Sequence, residues 1–185
     1  MEKIKTLFKN NLIFSVIIII GIFLYYRTTS QSTAYTKTSK LVMEQKVSQF
    51  KDMVMSRKIL CLNNIIGDNA QNKLILLYSA SDCRSCIKEG FEIIKAIDST
   101  ISAKRTAVIS SGSDIAYDKI SFNYKKNIYE DNKQLLRNEL QYIATPILIV
   151  VDEAMVVKDA YFPTIYDSDD DVDSFLRSIT TKLTK

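Results

Sequence analysis

Residues 74–97 read LILLYSASDCRSCIKEGFEIIKAI, and three changes of pattern within them decide the fold. Leu74 to Tyr78 is a short apolar run without alternation, the pattern of a strand buried on both faces. Ser79 to Asp82 is small and polar, which suits a strand-to-helix turn. Beyond it Ile87, Phe91, Ile94, Ile97 and Ile101 recur at three- and four-residue spacing, which predicts a helix with one apolar stripe packed on a sheet.

Cys83-Arg84-Ser85-Cys86 opens that helix. One helical turn brings two such side chains within disulfide reach. The free N–H groups and the dipole of a helix N-terminus stabilise an anion, so the first thiol ionises more easily. Arg84 adds positive charge nearby and Asp82 opposes it. Cys83 therefore reads as the attacking thiolate and Cys86 as the resolving thiol. The competing reading is a structural disulfide or two buried thiols; the strand–turn–helix context favours redox chemistry.

Downstream, Thr106 to Ser110 reads as a second strand and Ser111 to Asp114 as its loop. Asn127 to Tyr129 is a short extended piece, and Asp131 to Tyr142 is predicted helical through Leu135, Leu136 and Leu140. Ala144-Thr145-Pro146 leads into Ile147–Val151. Proline is allowed at the first position of a buried strand because it precedes the ladder. Ile147–Val151 and Met155–Ala160 are expected to form a hairpin about Asp152–Ala154, with Pro163 ending that arm. Strands alternating with helices define an α/β sheet with helical crossovers. Asp167, Asp169, Asp170, Asp171 and Asp173 do not make an EF-hand loop, because the sixth position is Val172 and the twelfth is Ser178. They read as caps on a last helix, whose buried face is Val172, Phe175, Leu176, Ile179 and Leu183.

Upstream, Asn10 to Tyr26 carries no charge and is near the lower limit for a membrane-spanning helix. Tyr25 and Tyr26 suit an interfacial belt. Lys3, Lys5 and Lys9 precede the run, which keeps the N-terminus in the cytoplasm and sends the rest across. The small-residue triplets Ser30-Gln31-Ser32 and Ser32-Thr33-Ala34 lie well beyond the run, which favours an uncleaved anchor over a cleaved signal peptide. Thr28 to Ser39 reads as a Ser/Thr-rich tether. Ser39 to Met55 has helical spacing through Met43, Val47, Phe50 and Val54, with Ser39 as its cap. Ile59 to Leu62 reads as a short strand holding Cys61 as a buried apolar residue, and Gly67-Asp68-Asn69 as a turn. The expected organisation is residues 1–27 as cytoplasmic tail and anchor, 28–57 as tether and N-terminal helix, and 58–185 as one domain facing the periplasm or cell exterior.

Composition excludes several chemistries. Of a net charge of +4, residues 1–27 supply most through Lys3, Lys5, Lys9 and Arg27 against Glu2. The remainder is nearly neutral, and nothing argues for nucleic acid. With no histidine and three cysteines, the chain lacks a Cys–His nucleophile, a Ser–His–Asp triad and the ligands of a four-coordinate zinc site.

The order strand, Cys83-x-x-Cys86, helix, strand, helix, Thr145-Pro146, hairpin, helix resembles the thioredoxin-like superfamily over roughly residues 58–185. The nearest match is its membrane-tethered extracytoplasmic branch, used for thiol reduction including cytochrome c maturation. The resemblance implies an α/β fold with a central mixed sheet flanked by helices, and thiol–disulfide exchange without a cofactor. It implies protein thiols and disulfides outside the cytoplasm as partners, with an upstream membrane electron donor. It further implies that Pro146 is cis, lies against the active-site disulfide and, with Thr145, holds the substrate chain extended. Three positions depart from the family. Asp82 stands where tryptophan usually precedes the first cysteine, and Arg84-Ser85 stands where Gly-Pro is common. No counterpart of the family's buried acid is identifiable. Two other classes share the fold. A peroxiredoxin-type peroxidase normally has threonine three residues before its reactive cysteine, where this chain has Ala80. A non-catalytic binding module needs only a structural Cys83–Cys86 bond.

Overall fold

The computed structural model describes residues 39–67, 71–164 and 167–184. The expected anchor (residues 10–26), the tether up to residue 38 and the turn residues Asp68 and Asn69 lie outside the described residues. Among the described residues, no helix is long and apolar enough to cross a membrane. Residues 39–54 are helical, and residue 39, expected as the cap, is itself already helical. One compact unit runs from Val47 to the C-terminus. It includes residues 47–57, the last part of the segment expected as tether and N-terminal helix (28–57). The helical residues 47–54 of this unit are called α1.

The central strand, β1 (Lys73–Ser79), has Leu74 to Tyr78 at 0% exposure. It is shielded along both edges and on both faces. On one edge it pairs in parallel with β2 (Thr106–Ser111), Leu76 opposite Val108. β2 in turn pairs in parallel with β3 (Ile128–Glu130). On the other edge it pairs antiparallel with β4 (Ile147–Val151), Leu76 opposite Leu148. β5 (Val157–Tyr161) closes the sheet antiparallel to β4. The order β3-β2-β1-β4-β5, three parallel strands with an antiparallel hairpin, makes this an α/β thioredoxin-like fold.

Because side chains alternate across a strand, β1 supplies two cores at once. Leu74, Leu76 and Tyr78 face α3 (Arg84–Thr100) and α6 (Asp169–Leu183), packing with Ile87, Phe91, Ile94, Ile179 and Leu183. Ile75 and Leu77 face the opposite side, with Val54 of α1, Leu62 of α2 (Leu62–Ile66) and Leu136 of α5 (Leu135–Glu139). Each such side chain, fully buried, contributes about 1.5–3 kcal/mol. The Phe91 ring organises the first core. It stacks on Phe122 at 4.5 Å and meets Tyr78 and Tyr124 edge-on at 5.5 and 5.2 Å. Gly90 lets α3 approach β1, since a Cβ there would lie 2.7 Å from Leu76 Cδ1.

The expected strand at Ile59–Leu62 is not one. Lys58 makes a single bridge to Val156, Ile59 N–H donates to the Met155 carbonyl at 2.8 Å, and Cys61 then caps α2. The helix expected over Asp131–Tyr142 shrinks to α5, because Asp131 is a cap rather than a helical residue. Its carboxylate accepts the N–H groups of Leu135 and Leu136 at 2.7 and 3.0 Å, and Gln134 takes a left-handed φ of 51°. The hairpin turn extends through Val156, because Asp152 Oδ1 accepts from Ala154 N–H and Val156 N–H at 2.9 and 2.8 Å and Met155 is left-handed. At the last helix the acidic run divides its roles. Ser168 is the N-cap, Asp171 completes a capping box, and Asp169 to Asp171 line the first turn.

Phe91→Ala removes the ring shared by three aromatic neighbours. The expected loss is about 3–5 kcal/mol in a urea unfolding curve, against a near-neutral result if Phe91 were peripheral.

Candidate active site

β1 ends at Ser79, and the chain turns sharply there. Asp82 N–H donates to the Ser79 carbonyl at 3.1 Å, and Asp82 Oδ2 accepts the Ser79 N–H at 2.7 Å. The closed turn delivers Cys83 to the N-cap position of α3, where its carbonyl accepts the Ile87 N–H at 2.9 Å. Cys83 is exposed and Cys86, one turn further on, is buried; both are free thiols.

That difference in exposure separates their acidities. The Cys86 thiol hydrogen-bonds to the Cys83 sulfur and holds Cys83 below the ordinary thiol range. The Ser85 hydroxyl, 3.0 Å from the Cys83 sulfur, and the N–H groups of Cys86 and Ser85 act in the same direction. Burial, reinforced by the hydrogen bond to Cys83 and its charge, pushes Cys86 up to about 12. A thiolate is therefore favoured at the exposed position and a protonated thiol at the buried one, the assignment expected of an attacking and a resolving cysteine.

Arg84 does not act as its place between the cysteines suggested. Its guanidinium pairs with Asp118 Oδ1 at 2.7 Å and lies over the Phe122 ring at 4.1 Å and the Tyr117 ring at 5.0 Å. Asp118, on α4 (Ile115–Ser121), is almost fully buried and also accepts from the Tyr78 hydroxyl at 2.9 Å. The arginine charge is thus turned towards α4 and matched by a buried carboxylate. The lowered pKa of Cys83 comes from its sulfur, hydroxyl and backbone neighbours. Asp118 was not singled out from sequence; it sits in a mixed stretch without clear periodicity, and only its burial marks it.

The Thr145-Pro146 peptide bond is cis, as the resemblance implied. Pro146 is buried and directly precedes Ile147, which pairs with Leu77 of β1. The bend therefore stands at the end of β1 that also carries Ser79 and the cysteine turn. Thr145 Oγ1 donates to Asp82 Oδ1 at 2.9 Å, a direct link between the two loops. Cys83, Cys86, Thr145 and Pro146 thus gather at one end of the central strands. Cys61 does not join them. It packs in the core on the sheet face opposite α3, its N–H donates to the Glu139 carboxylate at 3.2 Å, and burial with the Glu139 charge pushes its thiol up to about 12.

No protein-family model and no curated protein sequence matches the chain. Solved structures do resemble it. The thioredoxin domain of a thiol-disulfide oxidoreductase from Bacteroides vulgatus aligns at 11% identity and a TM-score of 0.46, over 62% of this chain and 80% of that one. A secreted disulfide oxidoreductase from Mycobacterium tuberculosis aligns at 10% and 0.45, over 60% and 83%. A mitochondrial 2-Cys peroxiredoxin from Plasmodium falciparum aligns at 15% and 0.41, over 60% and 75%.

Alkylation by iodoacetamide near neutral pH is expected to label Cys83 first, leaving Cys86 and Cys61 unmodified in the folded protein. The thiolate fraction grows as pH rises through the pKa. The Cys83 rate should therefore level off at lower pH than that of an unperturbed cysteine, while Cys86 stays protonated until about pH 12. Peptide mapping by mass spectrometry reads this order; equal labelling of all three would contradict it.

Proposed function

We propose that the chain is a thiol–disulfide oxidoreductase that exchanges disulfides with protein partners. The observation that carries this reading is the placement of an exposed Cys83 and a buried Cys86 one helical turn apart, beside the Thr145–Pro146 bend. The Cys83 thiolate attacks one sulfur of a partner disulfide, and the other partner sulfur leaves as a thiolate. Cys86 then loses its proton and attacks the Cys83 sulfur, which releases the second partner thiolate. The pair gives up two electrons and closes as Cys83–Cys86; the partner gains them and takes up two protons. No cofactor enters the reaction.

Location and electron supply complete the proposal. Residues 10–26 tether the domain to the membrane and place it on the periplasmic or outer face. The apolar run behind three lysines supports this. A membrane electron donor that re-reduces the pair makes the protein a reductase of extracytoplasmic partners, and the reverse current makes it an oxidant. A peroxidase is the less favoured reading: Ala80 offers no hydroxyl to a peroxide, and Ser79 and Ser81 bond to each other at 3.2 Å.

Cys86→Ser removes the resolving thiol and should trap Cys83 in mixed disulfides with partner proteins, visible as reductant-sensitive bands on a non-reducing gel. Cys83→Ser should trap none. Trapping by both variants, or by neither, contradicts the assigned roles.

A further inference from the structure

Asp82 sits directly before the attacking cysteine, and its two carboxylate oxygens hold different parts of the chain. Oδ2 accepts the Ser79 N–H at 2.7 Å, where β1 ends. Oδ1 accepts the Thr145 hydroxyl at 2.9 Å, one residue before cis Pro146. One side chain thus ties the loop that presents Cys83 to the bend at the same end of β1. The link is partly sheltered from water: Asp82 and Thr145 are both half-buried. Burial holds the Asp82 carboxyl above the usual range, against the opposing effect of the Ser79 N–H and the Thr145 hydroxyl. Hydrogen bonds to a charged group are stronger than those between neutral groups, enough to fix a short loop.

On the thiol-exchange reading above, we propose that Asp82 is a positioning residue that sets the gap between Cys83 and the Thr145–Pro146 bend, and so favours disulfides carried on an extended polypeptide. A polypeptide disulfide must meet two demands at once. One sulfur lies in line with Cys83, and the flanking backbone lies along the bend. A small disulfide meets only the first. Loosening the tie between the loops therefore penalises the polypeptide and spares the small molecule, since misplacement by about 1 Å can cost about a hundredfold in rate.

The test measures single-turnover oxidation of the reduced full chain by two substrates: a synthetic extended peptide bridging two chains through one disulfide, and neutral 2-hydroxyethyl disulfide. Asp82→Ala should lower the second-order rate with the peptide by about tenfold or more, chiefly through a higher half-saturating concentration. Its rate with 2-hydroxyethyl disulfide should stay within about twofold, an energy difference below that of one hydrogen bond. Asp82→Asn retains an acceptor oxygen and an amide that can bond the Thr145 hydroxyl, so it should restore the peptide rate. Thr145→Val cuts the Thr145 link alone and should lower the peptide rate while sparing the small disulfide, and the double variant should be no worse than Asp82→Ala, where that link is already lost. Circular dichroism confirms that each variant is folded, and Thr145→Val carries the test if Asp82→Ala does not fold. Equal loss with both substrates, no loss with either, or an Asp82→Asn defect as large as that of Asp82→Ala overturns the proposal while leaving the exchange reading standing. A wild-type chain inert to both disulfides overturns the exchange reading and the proposal with it.

Discussion

Burial of β1 on both faces is the constraint from which the rest of the structure follows. A strand with no exposed surface from Leu74 to Tyr78 must have neighbours on both edges and helices above and below. The parallel pairing with β2 requires a crossover, and α3 supplies it. A crossover helix has to begin where the strand ends, so the chain leaves the sheet through the short turn at Ser79–Asp82. The helix N-terminus, with its free N–H groups, arrives there with Cys83. The antiparallel pairing with β4 brings Ile147 against Leu77 and Pro146 to the same end. Site and sheet are consequences of one arrangement.

Within that arrangement the two cysteines differ through solvent access more than through distant charge. Cys83 caps the helix and remains exposed; Cys86 turns inward beneath it. Each stabilises the state that the other requires: the protonated Cys86 thiol donates towards Cys83, and the Cys83 charge discourages ionisation of Cys86. Arg84 contributes to the architecture of α3 and α4 instead, through Asp118 and the Phe122 ring. Asp118 and Tyr78 are satisfied by that network, which matters because an unmatched buried carboxylate is strongly destabilising.

Much of this was legible in residues 74–97 because the signals there are strong and local. A five-residue apolar run, a polar turn and an isoleucine–phenylalanine stripe admit few structures, and the observed β1 and α3 agree with the expected boundaries closely. Thr145-Pro146 before an apolar strand marked the second loop. The failures occurred where side chains, not periodicity, set the ends of elements. Asp131 reads as a helical residue until its carboxylate is seen capping α5. The run around Cys61 reads as a strand, yet its neighbour offers only a single bridge at Lys58. Arg84 reads as a cation beside a thiol, and its partner Asp118 is 34 residues away. Asp82 appeared only as an opposing charge, because its bond to Thr145 spans 63 residues. Long-range pairing of polar groups leaves no periodic trace in a sequence.

Thiol–disulfide exchange by this chain requires Cys83 and Cys86 to form a reversible redox pair. Equilibrating the full chain against glutathione or dithiothreitol, with the thiol state read by mass spectrometry, measures its reduction potential directly. A single two-electron couple at about −120 to −270 mV is expected. A bond resistant to reduction below about −300 mV, or a pair that never closes, would contradict it and mark the cysteines as structural.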